Sequence, residues 1–264
     1  MRPTAATPFL LALCLGIFSQ PSQAISNIEK ERTSKNDEGW NGNLRFKFSG
    51  KDGNNEETEL GLGAHLRWSN DTVSWLNWAN HEYDRNDGNT TDDETFIHSR
   101  LIHNHRKVIA SEYFLQYEQD PFSGLKRRFL QGAGLRWHSW HKPNIDNKQS
   151  SGDSFQGLGV FNEQVREVDL GRTETDQLYR ANIYSHWLYQ NSGERPLSTS
   201  ITLYVQPNLA DTDDIKALLQ GQVSLPINKK LHFQWKWQSN WDSRPPSDKA
   251  KRVHETVMEL KYIF

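Results

Sequence analysis

Residues 178–190 read LYRANIYSHWLYQ, and apolar and polar side chains alternate along almost the whole segment. The odd-numbered positions from Tyr179 to Tyr189 are mostly apolar or aromatic, whereas Arg180, Asn182 and His186 belong to the other set. Successive side chains of a β-strand point to opposite faces of the sheet, so alternation with a period of two is typical of a strand. The segment therefore predicts a long strand with one apolar and one polar face.

The same alternation recurs in most of the chain after residue 42. Such runs cover 43–48, 59–68, 111–118, 128–138, 155–166, 201–206, 215–225, 231–238 and 256–264. The pattern is weaker over 72–83 and 95–105, because Trp75, Leu76 and Trp78 fall on both faces. Together these runs predict an all-β fold of about twelve antiparallel strands.

The direction in which each face points separates a transmembrane barrel from a soluble sandwich. Charged side chains recur on the polar face, and the strands approach the ~9–11 residues that a tilted membrane strand needs. Trp and Tyr gather near strand ends, as in the aromatic girdles of membrane barrels. These features favour a closed transmembrane antiparallel β-barrel with its apolar face toward lipid. The residues then expected to line the lumen are Arg45, Lys47, Glu59, Arg67, Glu112, Arg128, Arg136, Arg180, His186, Lys216, Lys236, Glu259 and Lys261. Their basic excess predicts a weak preference for anions in a conducting barrel.

The lengths of the predicted connections favour the same architecture. With the N-terminus placed in the periplasm, the far-side connections include the long segments 84–94 and 167–177. Near-side connections such as 69–71 and 106–108 are short, and 139–154 is the exception. Short periplasmic turns with longer outer loops are typical of outer-membrane barrels.

The chain begins with features of an exported protein. Residues 1–24 have a short apolar segment and end in Ser22-Gln23-Ala24, which together predict a secretory signal peptide. Cys14 is the single cysteine and lies inside this segment, so disulfides and thiolate metal sites are excluded from the processed chain. A short periplasmic segment, 25–38, and a barrel, 39–264, are expected to follow in the bacterial outer membrane.

Composition excludes two other classes of protein. The mean hydropathy is −0.83, whereas helical membrane proteins need apolar runs of about 20 residues. The formal net charge is −2, and a dedicated nucleic-acid binder would carry a basic excess. Neither a helical membrane protein nor a nucleic-acid partner is therefore expected.

The final strand carries an alternating apolar ending. Met258, Leu260, Tyr262 and Phe264 occupy every second position up to the last residue. A terminal strand that ends in an aromatic residue resembles the signal read by the bacterial barrel-assembly machinery. The expected partners are therefore this machinery during biogenesis, and lipid and lipopolysaccharide of the outer membrane afterwards.

Three motifs carry a family resemblance. They are 120–137 (DPFSGLKRRFLQGAGLRW), 157–163 (GLGVFNE) and 242–246 (DSRPP), followed by the last strand. Together they resemble a bacterial outer-membrane family of unknown function, whose members are often called salt-induced outer membrane proteins. The motif residues singled out by this resemblance are Gly132, Gly134, Gly157, Gly159, Glu163, Pro245 and Pro246. The resemblance implies an outer-membrane barrel and supplies neither an activity nor catalytic residues.

No catalytic, cofactor-binding or metal-binding residue is predicted. The pair His103 and His105 lies at a predicted turn, and solvated turn histidines are the favoured interpretation. One alternative is a lipid-modifying hydrolase with Ser and His on the lipid face, whose candidates are Ser99, Ser111, Ser185, His81 and His103. A second alternative is a soluble periplasmic β-sandwich that binds a ligand.

The function predicted from sequence is that of a non-enzymatic outer-membrane β-barrel. It acts either as a passive pore or as a structural barrel in envelope stress, and its oligomeric state stays open. The assignment of faces predicts that arginine is costly at Leu203 but tolerated at Tyr204.

Overall fold

The computed structural model describes residues 38–53, 56–106, 108–143, 150–193, 195–228, 231–246 and 249–262. Within them lie twelve strands and one 3₁₀ turn, Pro121–Ser123. The strands are β1 (Gly39–Lys51), β2 (Glu57–Ser69), β3 (Val73–Asn86), β4 (Asn89–Arg106), β5 (Ile109–Asp120), β6 (Leu125–Lys142), β7 (Ser151–Asp169), β8 (Arg172–Gln190), β9 (Ser198–Pro207), β10 (Ile215–Pro226), β11 (Leu231–Asp242) and β12 (Arg252–Tyr262). The predicted signal peptide, nearly all of segment 25–38, and Phe264 lie outside the described residues.

Each strand pairs antiparallel with the next one along the chain, so the sheet runs in the order β1 to β12. This is the strand order of an up-and-down barrel. The predicted all-β fold of about twelve antiparallel strands is confirmed. β1 and β12 are the two ends of the described sheet, and its assigned strand pairs include no ladder between them.

Across the described ranges, no helix has the length and apolar character that a membrane-crossing helix requires.

The two faces of the sheet have opposite polarity and opposite burial. On the polar face, Glu163 and Arg180 are 0% and 2% exposed, and more polar than apolar residues of the described chain are buried. On the apolar face, Leu158 and Leu203 are 55% and 42% exposed. Water-soluble proteins bury apolar side chains and rarely bury charged ones fully. The distribution therefore disfavours the soluble sandwich, in which the apolar faces would pack together.

Exposed tryptophans gather at one end of the apolar face. We call the end of the sheet at which the odd-numbered strands begin the lower end, and the opposite end the upper end. Trp40, Trp75, Trp137, Trp140 and Trp187 are all exposed near the lower end, and the rings of Trp40 and Trp75 are 6.1 Å apart. An exposed aromatic band is typical of the level at which a membrane meets water.

The predicted difference in connection length is wrong. Segments 84–94 and 167–177 are mostly strand, because β3–β4 and β7–β8 close through two-residue turns at Asp87-Gly88 and Leu170-Gly171. Both residues of each turn have positive φ, from 45° to 82°, which is the conformation of a type I′ hairpin turn. At the lower end, β6–β7 and β8–β9 have longer connections. Connection length therefore does not orient this sheet.

The structure removes the basis for the tolerance predicted for arginine at Tyr204. Tyr204 does lie on the polar face, but it is buried with Tyr184 and Leu218, and the two tyrosine rings are 5.2 Å apart. The polar face is thus not uniformly exposed to solvent. Part of it is a packed interior of mixed aromatic and charged side chains.

Candidate functional site: the ion-paired interior

Glu163 lies at the centre of the polar face, on β7. Its Oε1 accepts hydrogen bonds from Arg128 Nε at 2.7 Å and Lys216 Nζ at 3.1 Å. Its Oε2 accepts a hydrogen bond from Arg180 Nε at 2.6 Å. One fully buried carboxylate is therefore shared by three cations from β6, β8 and β10.

Two further carboxylates balance the charge of these cations. Arg128 Nη1 donates to Glu118 Oε2 at 3.1 Å, and Arg180 Nη2 donates to both carboxylate oxygens of Asp214 at 2.8 and 3.0 Å. The cluster thus pairs three cations with three carboxylates. Buried charges are tolerated when they are paired and hydrogen-bonded in this way.

Asp214 reaches this cluster from the connection between β9 and β10. Arg180 Nη1 donates to the backbone carbonyls of Gln206 at 3.3 Å and Asp214 at 3.2 Å, and Asn208 Nδ2 donates to Asp214 Oδ2 at 3.2 Å. Arg180 therefore holds both ends of this connection over the upper end of the polar face. A loop side chain becomes part of the interior as a result.

A second group of contacts spans β4 to β8. Arg100 Nη1 donates to Glu112 Oε2 at 2.9 Å, and the Tyr184 hydroxyl donates to Glu112 Oε1 at 3.2 Å. Tyr184 stands on β8, three strands beyond Glu112 on β5. A direct hydrogen bond across that span requires a strongly curved sheet.

Glycines on β6 and β7 make this curvature possible. A Cβ added to Gly157 would overlap the ring of Tyr184, and one added to Gly132 would lie 2.5 Å from the Phe114 ring. Gly134 and Gly159 face each other directly across the two strands. The motif glycines therefore leave room for large side chains of neighbouring strands, which is a common role of glycine inside strands.

His98 joins the two groups of contacts. It accepts a hydrogen bond from Arg100 Nε at Nε2, 3.4 Å away, and its Nδ1 lies 2.8 Å from Gln116 Oε1. Gln116 Nε2 then donates to Glu118 Oε1 at 2.8 Å. An unbroken hydrogen-bonded chain thus connects Arg100 with the Glu163 cluster. We call the polar face of β4–β10 that carries this chain the packed sector.

The residues predicted to line a lumen fall into two groups. Arg67, Glu112, Arg128, Arg180 and His186 are buried on the polar face, Lys216 is mostly buried, and Arg136 is half-buried with its guanidinium 3.8 Å from the centre of the Phe155 ring. Arg45, Lys47, Glu59, Lys236 and Glu259 lie on β1, β2, β11 and β12 and are more accessible. The side chain of Lys261 lies outside the described part of the structure.

The accessible group forms single ion pairs. Lys47 Nζ lies 2.7 Å from Glu59 Oε2, and Lys236 Nζ lies 3.6 Å from Glu259 Oε2. Arg45, whose side chain is 64% exposed, approaches Glu82 at 3.8 Å. We call the set Arg45, Lys47, Glu59, Lys236 and Glu259, which lies on β1, β2, β11 and β12, the open sector.

Sequence reasoning missed several members of the packed sector. Glu163 was singled out only as a motif residue, although Gly157, Gly159, Phe161 and Glu163 share one face at a period of two. This alternation could have placed Glu163 on the polar face. Its neighbours on that face are glycines and a phenylalanine, however, so the face does not look polar in the sequence. Asp214 gives no signal, because it lies in a connection. Glu118, Glu163 and Asp214 add three negative charges to the predicted lining and so reduce its basic excess.

The motif prolines border a cavity above the Glu163 cluster. The cavity has a volume of about 230 Å³, and its lining includes Arg128, Lys216, Glu167, Pro245 and Pro246. The connection between β11 and β12 therefore folds toward the upper end of the packed sector.

The predicted assembly signal stays a prediction. Met258 and Leu260 are exposed on the apolar face of β12. The side chain of Tyr262 and all of Phe264 lie outside the described part of the structure.

The candidates for a lipid hydrolase are scattered over the apolar face. Ser99 donates to Asn77 Oδ1 at 2.8 Å, and Ser185 accepts from Trp187 Nε1 at 2.8 Å. Ser111 has a histidine neighbour, since its hydroxyl lies 3.0 Å from His105 Nε2. The structure thus brings Ser111 together with His105 rather than with either predicted histidine.

Comparison with known proteins finds similar solved structures and one family. No curated protein matches the chain. A solved structure of the NanC porin in a rhombohedral crystal form is similar, with a TM-score of 0.42 and 13% sequence identity over 84% of this chain and 98% of the porin chain. A family model described as "Protein of unknown function, DUF481" matches residues 45–264, and the chain belongs to this family.

Proposed function

We propose that the protein is a non-enzymatic outer-membrane β-barrel that acts as a narrow passive pore. The observation that carries this proposal is the reversed polarity of the sheet, whose charged face is buried and whose apolar face is exposed. In a bilayer the apolar face would contact hydrocarbon, and the polar face would line the interior. The exposed tryptophans of the lower end would lie at one membrane interface.

The free edges of the sheet supply a second argument. Backbone N–H and C=O groups cannot stay unpaired in hydrocarbon, so only helices and closed barrels span a bilayer. β1 and β12 are the two edge strands of an otherwise continuous antiparallel sheet. We expect these edges to pair with each other in the membrane and to close the barrel.

The water path is expected to follow the open sector. In the packed sector, Glu163, Phe161 and Leu218 are almost inaccessible to solvent, so ions cannot pass there. In the open sector, the side chains of Arg45 and Glu259 are 64% and 47% exposed. Since this sector carries both signs of charge, only weak ion selectivity is expected.

Single-channel recordings in planar bilayers test this function. The purified chain should give stepwise conductance. Under a salt gradient, the reversal potential of Lys236→Gln should shift in the direction of greater cation selectivity, because an accessible positive charge is lost. Lys216→Gln removes the same charge from the packed sector and should leave the reversal potential unchanged. Silence over a wide range of salt concentrations would contradict the pore.

Cell fractionation separates the pore from its structural alternative. A silent protein that still fractionates with the outer membrane, and whose gel mobility changes on boiling, would be a structural barrel of the envelope. Recovery of the folded chain in the soluble periplasmic fraction would contradict both proposals.

A lipid hydrolase is the second candidate, because Ser111 and His105 are in contact on the apolar face. A histidine within hydrogen-bond reach of a serine can act as its general base. Release of fatty acid from phospholipid or lipopolysaccharide, lost in Ser111→Ala and retained in Ser185→Ala, would favour the enzyme. Equal release by both variants would argue against this serine.

A further inference from the structure

A register shift near the lower end of β6 places two histidines on one face. Relative to β7, His138 pairs with Phe155 and Trp140 pairs with Ser154, so Ser139 is one extra residue on β6. Without this bulge, residues three apart would point to opposite faces. With it, His138 and His141 both lie beside Asp153, which is directly opposite His141. Bulges often re-aim side chains at functional positions.

These three side chains converge on a small volume. Asp153 Oδ1 lies 2.7 Å from His138 Nε2 and 2.7 Å from His141 Nδ1. All three potential ligand atoms lie within 4.8 Å of one another. The side chain of His141 is 55% exposed, whereas His138 and Asp153 are partly buried. The cluster is thus open to solvent on one side and supported on the other.

Aromatic packing holds His138 in position. Its ring stacks on Phe155 with centroids 4.3 Å apart and an angle of 17°, and the Arg136 guanidinium lies 3.8 Å from the centre of the same Phe155 ring. His138 is therefore oriented by its neighbours before any ligand binds. A ligand set that is preorganised in this way needs little rearrangement to bind a metal ion.

We propose that His138, His141 and Asp153 bind a divalent transition-metal ion of the Zn²⁺ or Ni²⁺ class. Two imidazoles and one carboxylate suit these metals, and water would complete the coordination shell. In a tetrahedral zinc site with bonds of about 2.0–2.1 Å, the ligand atoms lie about 3.3 Å apart. The two 2.7 Å contacts therefore lengthen by about half an ångström as the ion replaces the hydrogen bonds to Asp153. The exposed His141 can supply most of this movement.

Isothermal titration of ZnCl₂, and separately of NiCl₂, into the refolded chain without a polyhistidine tag tests the site. We expect one ion per chain. His141→Ala and Asp153→Asn should each weaken binding at least about tenfold, which is the loss typical even of an outer-sphere partner. His103→Ala is the matched control, because His103 belongs to another histidine pair, with His105 at 4.6 Å between ring centroids. That variant should bind like the unmodified chain.

Two outcomes would overturn the proposal. One is the absence of binding up to millimolar metal, which would leave only a hydrogen-bonded cluster. The other is an equal loss of affinity in His103→Ala. If His141→Ala or Asp153→Asn fails to fold, X-ray absorption on the zinc-loaded His103→Ala variant decides instead. Two imidazoles in the first coordination shell would support the site, and a shell without imidazole would refute it.

Discussion

The packed sector and the open sector use the same kinds of side chain in different ways. In the packed sector, Glu163 alone accepts hydrogen bonds from three cations, and Glu118 and Asp214 each accept hydrogen bonds from two residues. In the open sector, Lys236 and Glu259 form one accessible ion pair at 3.6 Å. A carboxylate paired with a cation is thus buried in the packed sector and exposed to solvent in the open sector. Burial, rather than residue type, therefore decides what a charge contributes to this sheet.

The largest expected effect is the loss of the shared carboxylate. Glu163→Ala leaves Arg128, Arg180 and Lys216 without their common partner in a buried place, and breaking a buried ion pair costs about 3–5 kcal/mol. Urea titration of the chain refolded in lipid vesicles would measure the change in the free energy of unfolding.

Glu259→Ala is the matched variant from the open sector. An exposed ion pair contributes about 0–1 kcal/mol, so this variant should unfold close to the unmodified chain. A similar loss of stability in both variants would erase the energetic distinction between the two sectors.

The apolar face should not distinguish the sectors. Leu203 lies on the apolar face of β9, a strand of the packed sector. Leu62 lies on the apolar face of β2, a strand of the open sector, and both side chains are exposed. Arginine at either position should cost about 2–4 kcal/mol, because a charge would then sit in hydrocarbon near mid-membrane. Unfolding titrations in vesicles would measure both variants. Gln222→Arg, on the polar face, is the control, and a penalty as large at this position would contradict the assignment of faces.

A smaller effect is expected from the motif glycines. Gly157→Ala would force a Cβ against the Tyr184 ring, and overpacking of this kind costs about 1–3 kcal/mol. Gly61→Ala in β2 places its Cβ 3.2 Å from the Cβ of Lys47, a contact that a shift of a few tenths of an ångström relieves. The midpoint temperature of thermal unfolding should therefore fall much further in Gly157→Ala than in Gly61→Ala. Equal shifts would mean that curvature near β7 does not depend on this glycine.

The sequence predicts the strands and faces well because both depend on local alternation. Most strands of the sheet follow this pattern, and Leu203 lies on the face that its odd position in the alternation indicates. The turns at Asp87-Gly88 and Leu170-Gly171 were missed, because charged and polar residues on both sides of them resemble a loop. There the length of the hairpin depends on backbone pairing and not on hydrophobicity.

The interior was predicted only in part. Parity placed Arg128 and Arg180 on the polar face, but it cannot say which carboxylate they meet, because the partners come from other strands and from a connection. Asp214 and Tyr184 depend on the curvature of the sheet, which no single strand encodes. The convergence of His138 and His141 was also inaccessible, since one bulge reverses the parity of the residues that follow it.

The extra residue at Ser139 has a genetic consequence. Trp137 and Trp140 share the apolar face, and His138 and His141 share the polar one, because the alternation is offset at this one position. Deletion of a single codon there would send the second tryptophan inward and the second histidine outward without substituting any residue. Relatives that differ only by this small gap would therefore differ in which chemical groups meet their surroundings at the end of β6.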